Sequence, residues 1–186
     1  MAVSVVGIGG SIRGDSQSER ALRLALAGAE QAGAKTSLFT GADLMLPFYD
    51  PAVPDRPEAA IRLIEDLRAA DGVLLAAPGY HGTLSGLVKN ALDYIEDLRQ
   101  DSRPYLDGRA VGCVAVARGW QAAVSTLTAL RSVVHALRGW PTPLGAAVNS
   151  GEVTIGADGD CSDAKVANTL RVIGAQVVEF ALARTA

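Results

Sequence analysis

The sequence predicts one domain over residues 1–186, a three-layer α/β fold with a five-stranded parallel sheet and helices on both faces. Three observations predict it. Short apolar runs alternate with segments of helical periodicity along the whole chain, as strands and crossover helices do. The central run, Gly72-Val73-Leu74-Leu75-Ala76-Ala77, shows no polar alternation, the mark of a strand covered on both faces. No repeat, linker or low-complexity tract divides the 186 residues, and with 49% of them hydrophobic the chain can bury one core but hardly two.

The first strand is expected from about Val3 to Gly9. A helix follows from Ser16 to Ala32, whose Leu22, Ala25, Leu26 and Ala29 recur at i, i+3, i+4, i+7 and form one buried stripe. Strand two runs from about Lys35 to Thr40. The stretch after it, with Pro47, Pro51, Pro54 and Pro57, is too rich in proline for regular structure; its Leu44, Leu46, Phe48 and Tyr49 either pack on their own domain or meet a second subunit. A helix is expected from about Asp55 to Ala70, with Ile61, Ile64 and Leu67 inward.

Strand three, Gly72 to Ala77, empties into Pro78-Gly79-Tyr80-His81-Gly82-Thr83. In open α/β sheets the ligand crevice lies at the carboxyl ends of the strands where chain order reverses, so this loop and the one after strand one should be neighbours. Leu84 to about Leu98 reads as a single helix with Leu84, Leu87, Val88, Ala91, Leu92 and Ile95 inward. A polar connector leads to strand four, Arg109 to Ala117, and to a third carboxyl-end loop, Arg118-Gly119-Trp120-Gln121. The long helix after it, reaching about Arg138, has a broad apolar face from Val124 to Leu137 with room for a subunit contact. Beyond the break Gly139-Trp140-Pro141-Thr142-Pro143 lies strand five, about Leu144 to Val148. Asn149 to Ser162 is a loop rich in glycine and aspartate, either a small hairpin or a mobile flap near the site, and the closing helix, about Asp163 to Arg184, turns Val166, Leu170, Ile173, Val177, Phe180 and Ala181 inward.

Composition narrows the function classes. Seventeen Lys and Arg against twenty Asp and Glu give a net charge of −3, and no basic patch or aromatic-basic interleaving appears, so no nucleic-acid partner is expected. No apolar run reaches the roughly 20 residues of a membrane span, and the N-terminus enters a strand without a basic leader; a cytoplasmic protein with no membrane partner is the expectation. Cys113 sits in the apolar run of strand four and reads as an inert buried thiol, while Cys161 is in a polar loop. With His81 and His135 isolated from both, no metal-ligand set is expected.

The turn out of strand one, Gly7-Ile8-Gly9-Gly10-Ser11-Ile12-Arg13-Gly14-Asp15-Ser16-Gln17-Ser18, gathers backbone N–H groups, hydroxyls and one guanidinium at a helix N-terminus, a favourable place for an anion. A Walker loop would need Gly-Lys-Ser/Thr, and no lysine is present. A dinucleotide fingerprint would need a third glycine where Ile12 stands and an acid at the end of strand two, which Lys35 to Thr40 lacks. Hydroxyls and one arginine suit the terminal phosphate of a mononucleotide, flavin mononucleotide (FMN) first among them. Ser16 and Glu19 also make the S-x-x-E of a capping box, whose whole role is to start a helix; spacing alone does not decide between the two readings.

Two stretches together resemble the NADPH-dependent FMN reductase family. Gly10-Ser11-Ile12-Arg13-x-x-Ser16-x-Ser18 is similar to that family's G-S-x-R-x-x-S phosphate loop. Pro78-Gly79-Tyr80-His81-Gly82-Thr83-Leu84-Ser85-Gly86-Leu87-Val88-Lys89-Asn90-Ala91-Leu92-Asp93 resembles its P-x-Y-x-G-S-x-x-G-x-L-K-N-A-x-D flavin loop. Leu46-Pro47-Phe48-Tyr49-Asp50 is also similar to a segment common there. Ala117-Arg118-Gly119-Trp120-Gln121 stands where many members carry a Gly-Gly-rich turn.

The resemblance implies a flavodoxin-like fold with strand order 2-1-3-4-5. It implies that Ser11, Arg13, Ser16 and Ser18 hold the FMN phosphate, and that Pro78, Gly79, Tyr80, His81 and Gly82 line the flavin ring. It implies NADPH or NADH as the electron donor, and hydride transfer from nicotinamide to flavin and on to a second acceptor, with no dedicated catalytic side chain. Relatives that reduce quinones, azo compounds or metal oxyanions would share these residues, and a flavodoxin-type electron carrier is the alternative of another class. Small molecules are the expected partners, with a homodimer or homotetramer as the expected assembly.

Overall fold

The structure, a computed structural model, describes residues 2–185. β1 (Ser4–Gly9) leads into α1 (Gln17–Gln31), β2 (Lys35–Phe39), a 3-10 turn at Gly41–Leu44 and α2 (Glu58–Ala69). β3 (Gly72–Tyr80) folds back on the two-residue β4 (Thr83–Leu84) before α3 (Gly86–Asp93) and a 3-10 segment, Tyr94–Leu98. β5 (Ala110–Ala117), α4 (Trp120–Ala136), β6 (Trp140–Pro141), β7 (Ala146–Asn149) and α5 (Ala164–Thr185) complete the chain.

The sheet order is β2-β1-β3-β5, with β6 and β7 sharing the outer edge of β5. All these pairs are parallel; only the short β3–β4 pair is antiparallel. This is the flavodoxin-like order, and the chain reverses direction of travel between β1 and β3. α1 and α5 cover one face with Leu22, Leu26, Leu170, Ile173 and Val177 in the core; α2, α3 and α4 cover the other with Leu63, Leu67, Val88, Leu130 and Val134. Burying each of these side chains contributes about 1.5–3 kcal/mol relative to solvent.

α5 is long and apolar enough, by length and composition, to cross a membrane, with a mean hydropathy of 1.3 over its best window. Its packing is that of a core helix. A Cβ on Gly174 would lie 1.9 Å from the Ala25 carbonyl oxygen and one on Gly28 would lie 2.1 Å from that of Arg171, so α1 and α5 touch backbone to backbone.

Several boundaries differ from the sequence reading, each for a physical reason. The expected single helix from Leu84 to Leu98 begins two residues later, because Leu84 pairs with Gly79 in β4, and its last turn tightens to 3-10 geometry. Ile61 points to solvent at 46% exposure; the buried stripe of α2 is Ala60, Leu63, Ile64 and Leu67. Strand five is split: β6 forms inside the proline-rich break and β7 starts at Ala146. Strand three continues past Ala77 to Tyr80, since Pro78 still pairs in register with Val116. The 149–162 loop contains a small hairpin, with an antiparallel bridge between Ile155 and Cys161.

In the proline-rich segment Leu44 is buried and Leu46 and Tyr49 pack half-buried on their own domain, while most of the rest is exposed. Asn90 Nδ2 donates to the Leu46 and Pro47 carbonyls (3.2 and 2.9 Å), and its Oδ1 accepts from Tyr49 N at 2.9 Å. Arg56 forks onto Asp97 at 2.7 and 2.8 Å and lies 4.6 Å over the Tyr49 ring. The Arg56 guanidinium holds the Asp97 carboxyl below the usual range. Burial and the Asp97 acceptor push the Tyr49 phenol up to about 12. Met45 and Phe48 are left exposed, at 62% and 91%. Cys113 is buried, and burial pushes its thiol up to about 12, which makes it inert.

Candidate functional site

The chain leaves β1 through two glycines with no room for a side chain. A Cβ on Gly9 would lie 2.0 Å from the Ala76 carbonyl oxygen, and one on Gly10, at φ +93°, would lie 2.4 Å from Thr40 Oγ1. Gly10 N donates to Ala76 O at 3.1 Å, so the backbone turns while tied to β3, and residues 11–16 stand over the point where strand order reverses.

Ser16 is the N-cap of α1, its Oγ accepting from Glu19 N at 3.3 Å. Only half of the S-x-x-E box forms. The buried Glu19 carboxylate accepts from Asp15 N at 3.1 Å, from Thr40 Oγ1 at 3.2 Å and from Arg23 Nη2 at 2.7 Å. Its charge is thus matched by Arg23 and turned toward β2. Among the described residues, the N–H groups of Ser11, Ile12, Arg13, Gly14, Ser16, Gln17 and Ser18 have no acceptor in the protein. Arg20 is bonded to Asp15 and Arg23 to Glu19, whereas the Arg13 guanidinium is exposed and makes no hydrogen bond or ion pair among the described residues. Ser11 Oγ donates to Arg13 O at 2.9 Å, and the Ser16 and Ser18 hydroxyls lie 3.1 Å apart.

Across from this loop stands the end of β3. A Cβ on Gly79 would lie 2.5 Å from Thr126 Oγ1 and 3.0 Å from Ala117 Cβ, so α4 and β5 require a glycine there. His81 (φ 48°) and Gly82 (φ 92°) form the left-handed two-residue turn that joins β3 to β4.

Two adjoining hollows lie between the loops. One, of about 550 Å³, is bordered by Ser11, Ile12, Arg13, Pro78, Tyr80 and the start of α3. The other, of about 390 Å³, lies between Ser11, Arg13, Ser16, Ser18 and Pro78-Gly79-Tyr80, with Val116, Ala117, Arg118, Ala122 and Ser150 as a third wall. The structure therefore brings together Ser11, Arg13, Ser16, Ser18, Pro78, Gly79 and Tyr80. His81 and Gly82 line neither hollow: they are spent on the hairpin tip.

In the sequence the third wall shows only as a carboxyl-end loop that departs from the family's Gly-Gly-rich turn, and Ser150 only as part of a loop near the site. No carboxylate lines either hollow among the described residues, although the chain is net negative.

The model of the NADPH-dependent FMN reductase family matches residues 3–153. The chain belongs to this family. Among its relatives, an NADPH azoreductase of Bacillus sp. (strain OY1-2) is 33% identical over 47% of this chain and 46% of that protein. An NAD(P)H-dependent FMN reductase of Pseudomonas aeruginosa is 35% identical over 50% of this chain and 49% of that one. The chain spans about half the length of these curated relatives. A solved flavoenzyme NAD(P)H:(acceptor) oxidoreductase from Paracoccus denitrificans shares the fold, with a TM-score of 0.78 at 23% identity over 97% of this chain and 98% of that one.

The residues present in this family member fit FMN. A phosphate dianion offers acceptors only, and the 11–18 loop offers unsatisfied donors and an uncommitted guanidinium; its own Asp15 is paired with Arg20, and no carboxylate lines the hollow among the described residues. The ring side is walled by Pro78, Gly79 and Tyr80, the last 55% exposed, where backbone and apolar surface meet a planar group. By contrast, a hollow of about 220 Å³ at the other end of the sheet mixes Asp71 and Asp107 with Arg103 and Arg184, and has no such bias toward an anion. No three His, Cys, Asp or Glu side chains stand close enough to hold a metal among the described residues.

Proposed function

We propose that the chain is an NAD(P)H-dependent flavin reductase, one domain with FMN held in the cleft between the β1–α1 loop and the end of β3. The observation that carries the reading is the set of acceptor-less N–H groups between Ser11 and Ser18, all but that of Asp15, with the uncommitted Arg13 guanidinium among them. Ser11, Arg13, Ser16 and Ser18 bind the phosphate, and the capped start of α1 adds its dipole. Pro78, Gly79 and Tyr80 hold the ring, with Gly79 letting the backbone approach it; His81 and Gly82 shape the hairpin that presents them.

FMN supplies the hydride chemistry, accepting from NADPH or NADH and passing electrons to a second acceptor. The protein's part is to fix the ring edge by backbone, to keep carboxylates out of the cleft, and to leave space for a second planar molecule in the wider hollow beside Tyr80 and Leu87. No side chain there is arranged as an acid, base or nucleophile. The relative named as an azoreductase favours a second reading of the same site, in which an azo compound is the terminal acceptor.

A homodimer or homotetramer in the cytoplasm completes the proposal. The exposed Met45 and Phe48, and Val124 on α4 at 52% exposure, are the apolar surface such an assembly would cover.

The test is the absorbance spectrum of the purified protein with FMN, before and after anaerobic NADPH. Oxidised-flavin bands that bleach and return on adding FMN or an azo dye are expected. A protein that ignores FMN would sink the reading, and one that binds FMN without bleaching would be an electron carrier instead.

A further inference from the structure

We infer that Asn149 is a positioning residue that fixes Arg118 on the cleft, and that Arg118 is a second guanidinium, beside Arg13, for a nucleotide phosphate. Asn149 is the last residue of β7 and is 5% exposed. Its Oδ1 accepts from Gly119 N at 2.7 Å and from Gly151 N at 3.0 Å. Its Nδ2 donates to Glu152 Oε1 at 2.7 Å, and the same oxygen accepts from Trp120 Nε1 at 2.9 Å. One buried amide therefore spans the turns that follow β5 and β7. Gly119 has a φ of 112°, a conformation side-chain-bearing residues rarely adopt, so the turn beside Arg118 needs such an external hold.

Arg118 depends on this hold. Its Cγ would lie 3.6 Å from a Cβ on Gly151, so its stem runs over the second of the two turns that Asn149 ties together. Among the described residues Arg118 has no hydrogen bond or ion pair; Glu152, the acid of the neighbouring turn, is engaged by Trp120 and Asn149. Arg118 and Arg13 line the same hollow of about 390 Å³, and no carboxylate does. Two uncommitted guanidiniums in an acid-free hollow of a net-negative protein select an anion. This rests on the flavin-reductase reading, which supplies two sources of phosphate: FMN itself and the nicotinamide nucleotide.

Titration of the protein with FMN and riboflavin, and of the FMN-loaded protein with the non-reacting donor analogue NADP+, tests it. Arg118→Ala should raise the dissociation constant for FMN or for NADP+ about tenfold, the loss of a charge-assisted hydrogen bond, while leaving riboflavin affinity and Tm in place. A loss confined to FMN assigns Arg118 to the flavin phosphate, and one confined to NADP+ assigns it to the donor. Asn149→Leu should weaken the same ligand and lower Tm, and adding Arg118→Ala to it should cost no further affinity, because the two act through one group. Exchanging the amide and the acid, Asn149→Asp with Glu152→Gln, keeps the acceptor for the Gly119 and Gly151 N–H groups and a hydrogen bond between the two side chains, gives up only the Trp120 Nε1 bond, and should restore most of the affinity. Unchanged constants in Arg118→Ala, or losses in the two single variants that multiply, would overturn the inference. A wild-type protein that takes up no FMN would overturn the flavin reading instead, and NADP+ binding would still test Arg118.

Discussion

The cleft has two corners built on one plan and fastened in different ways. At each, a glycine and an uncommitted arginine stand between a strand and the helix that follows: β1 ends at Gly9 and Arg13 comes before α1, while β5 ends at Ala117 and Arg118 and Gly119 lead into α4. Each is held by one buried polar side chain, Glu19 at 6% exposure and Asn149 at 5%. Glu19 is charged and local, bonding Asp15 N within its own turn as well as Thr40 and Arg23. Asn149 is neutral and comes from a strand formed after the whole of α4. The difference teaches that a long loop can be stabilised from within, leaving its own N–H groups free for a ligand. A tight one has to be held from outside, and its side chain becomes the contact.

The largest expected effect tests the fastening itself. Gly9→Ala places a Cβ 2.0 Å from a backbone oxygen of β3, an atom that cannot move without the sheet, and should cost about 3 kcal/mol. Gly119→Ala meets nothing within 4 Å and bears only the cost of its φ of 112°, about 1–2 kcal/mol. Urea unfolding of the two variants should rank them in that order. The reverse order would mean that the second corner is the more tightly packed.

Next in size is the loss of the open corner's cation. Arg13→Ala should weaken FMN by about 1.5–3 kcal/mol, the worth of a charge-assisted hydrogen bond, or roughly ten- to a hundredfold. Riboflavin, lacking the phosphate, should bind wild type and variant alike. Tm without ligand should not move, since the Arg13 side chain bonds to nothing among the described residues. An FMN dissociation constant that stays put would remove the phosphate loop from the site.

The same contrast explains what was legible in the sequence. The fold class, the strand order implied by the family resemblance and the first corner came from local signals: apolar runs, paired glycines, and S-x-x-E. Even there the spacing leaves the role of the box open: Ser16 caps the helix, but Glu19 turns to Asp15 N, Thr40 and Arg23, and no spacing announces Thr40. Leu84 shares helical spacing with Leu87 and Val88, so periodicity put it on a helix; the left-handed pair His81 and Gly82, a hairpin signal weaker than Asn-Gly, placed it in β4. That hairpin also took His81 and Gly82 out of the cleft wall. For Asn149 and Ser150 the sequence goes no further than a loop near the site, since their partners lie at Gly119 and Ala117 and only the β5–β7 pairing brings them together.

The smallest effect separates the corners by charge. Asp15 sits in the left-handed region at φ 57°, which asparagine also tolerates, so Asp15→Asn removes the charge without straining the turn. The hydrogen bond from Arg20 holds the Asp15 carboxyl below the usual range. As pH falls, the unfolded chain takes up this proton near the ordinary value of about 3.9, before the folded one does. The contribution is therefore complete above that value and is lost as pH falls through the lowered one. Asp15 is exposed, so the effect should also shrink in high salt. The urea midpoints of wild type and Asp15→Asn should thus differ slightly at neutral pH and converge in acid. A gap that persists unchanged would mean that the turn is held by the shape of Asp15 and not by its ion pair, and the open corner would then owe nothing to charge on that side.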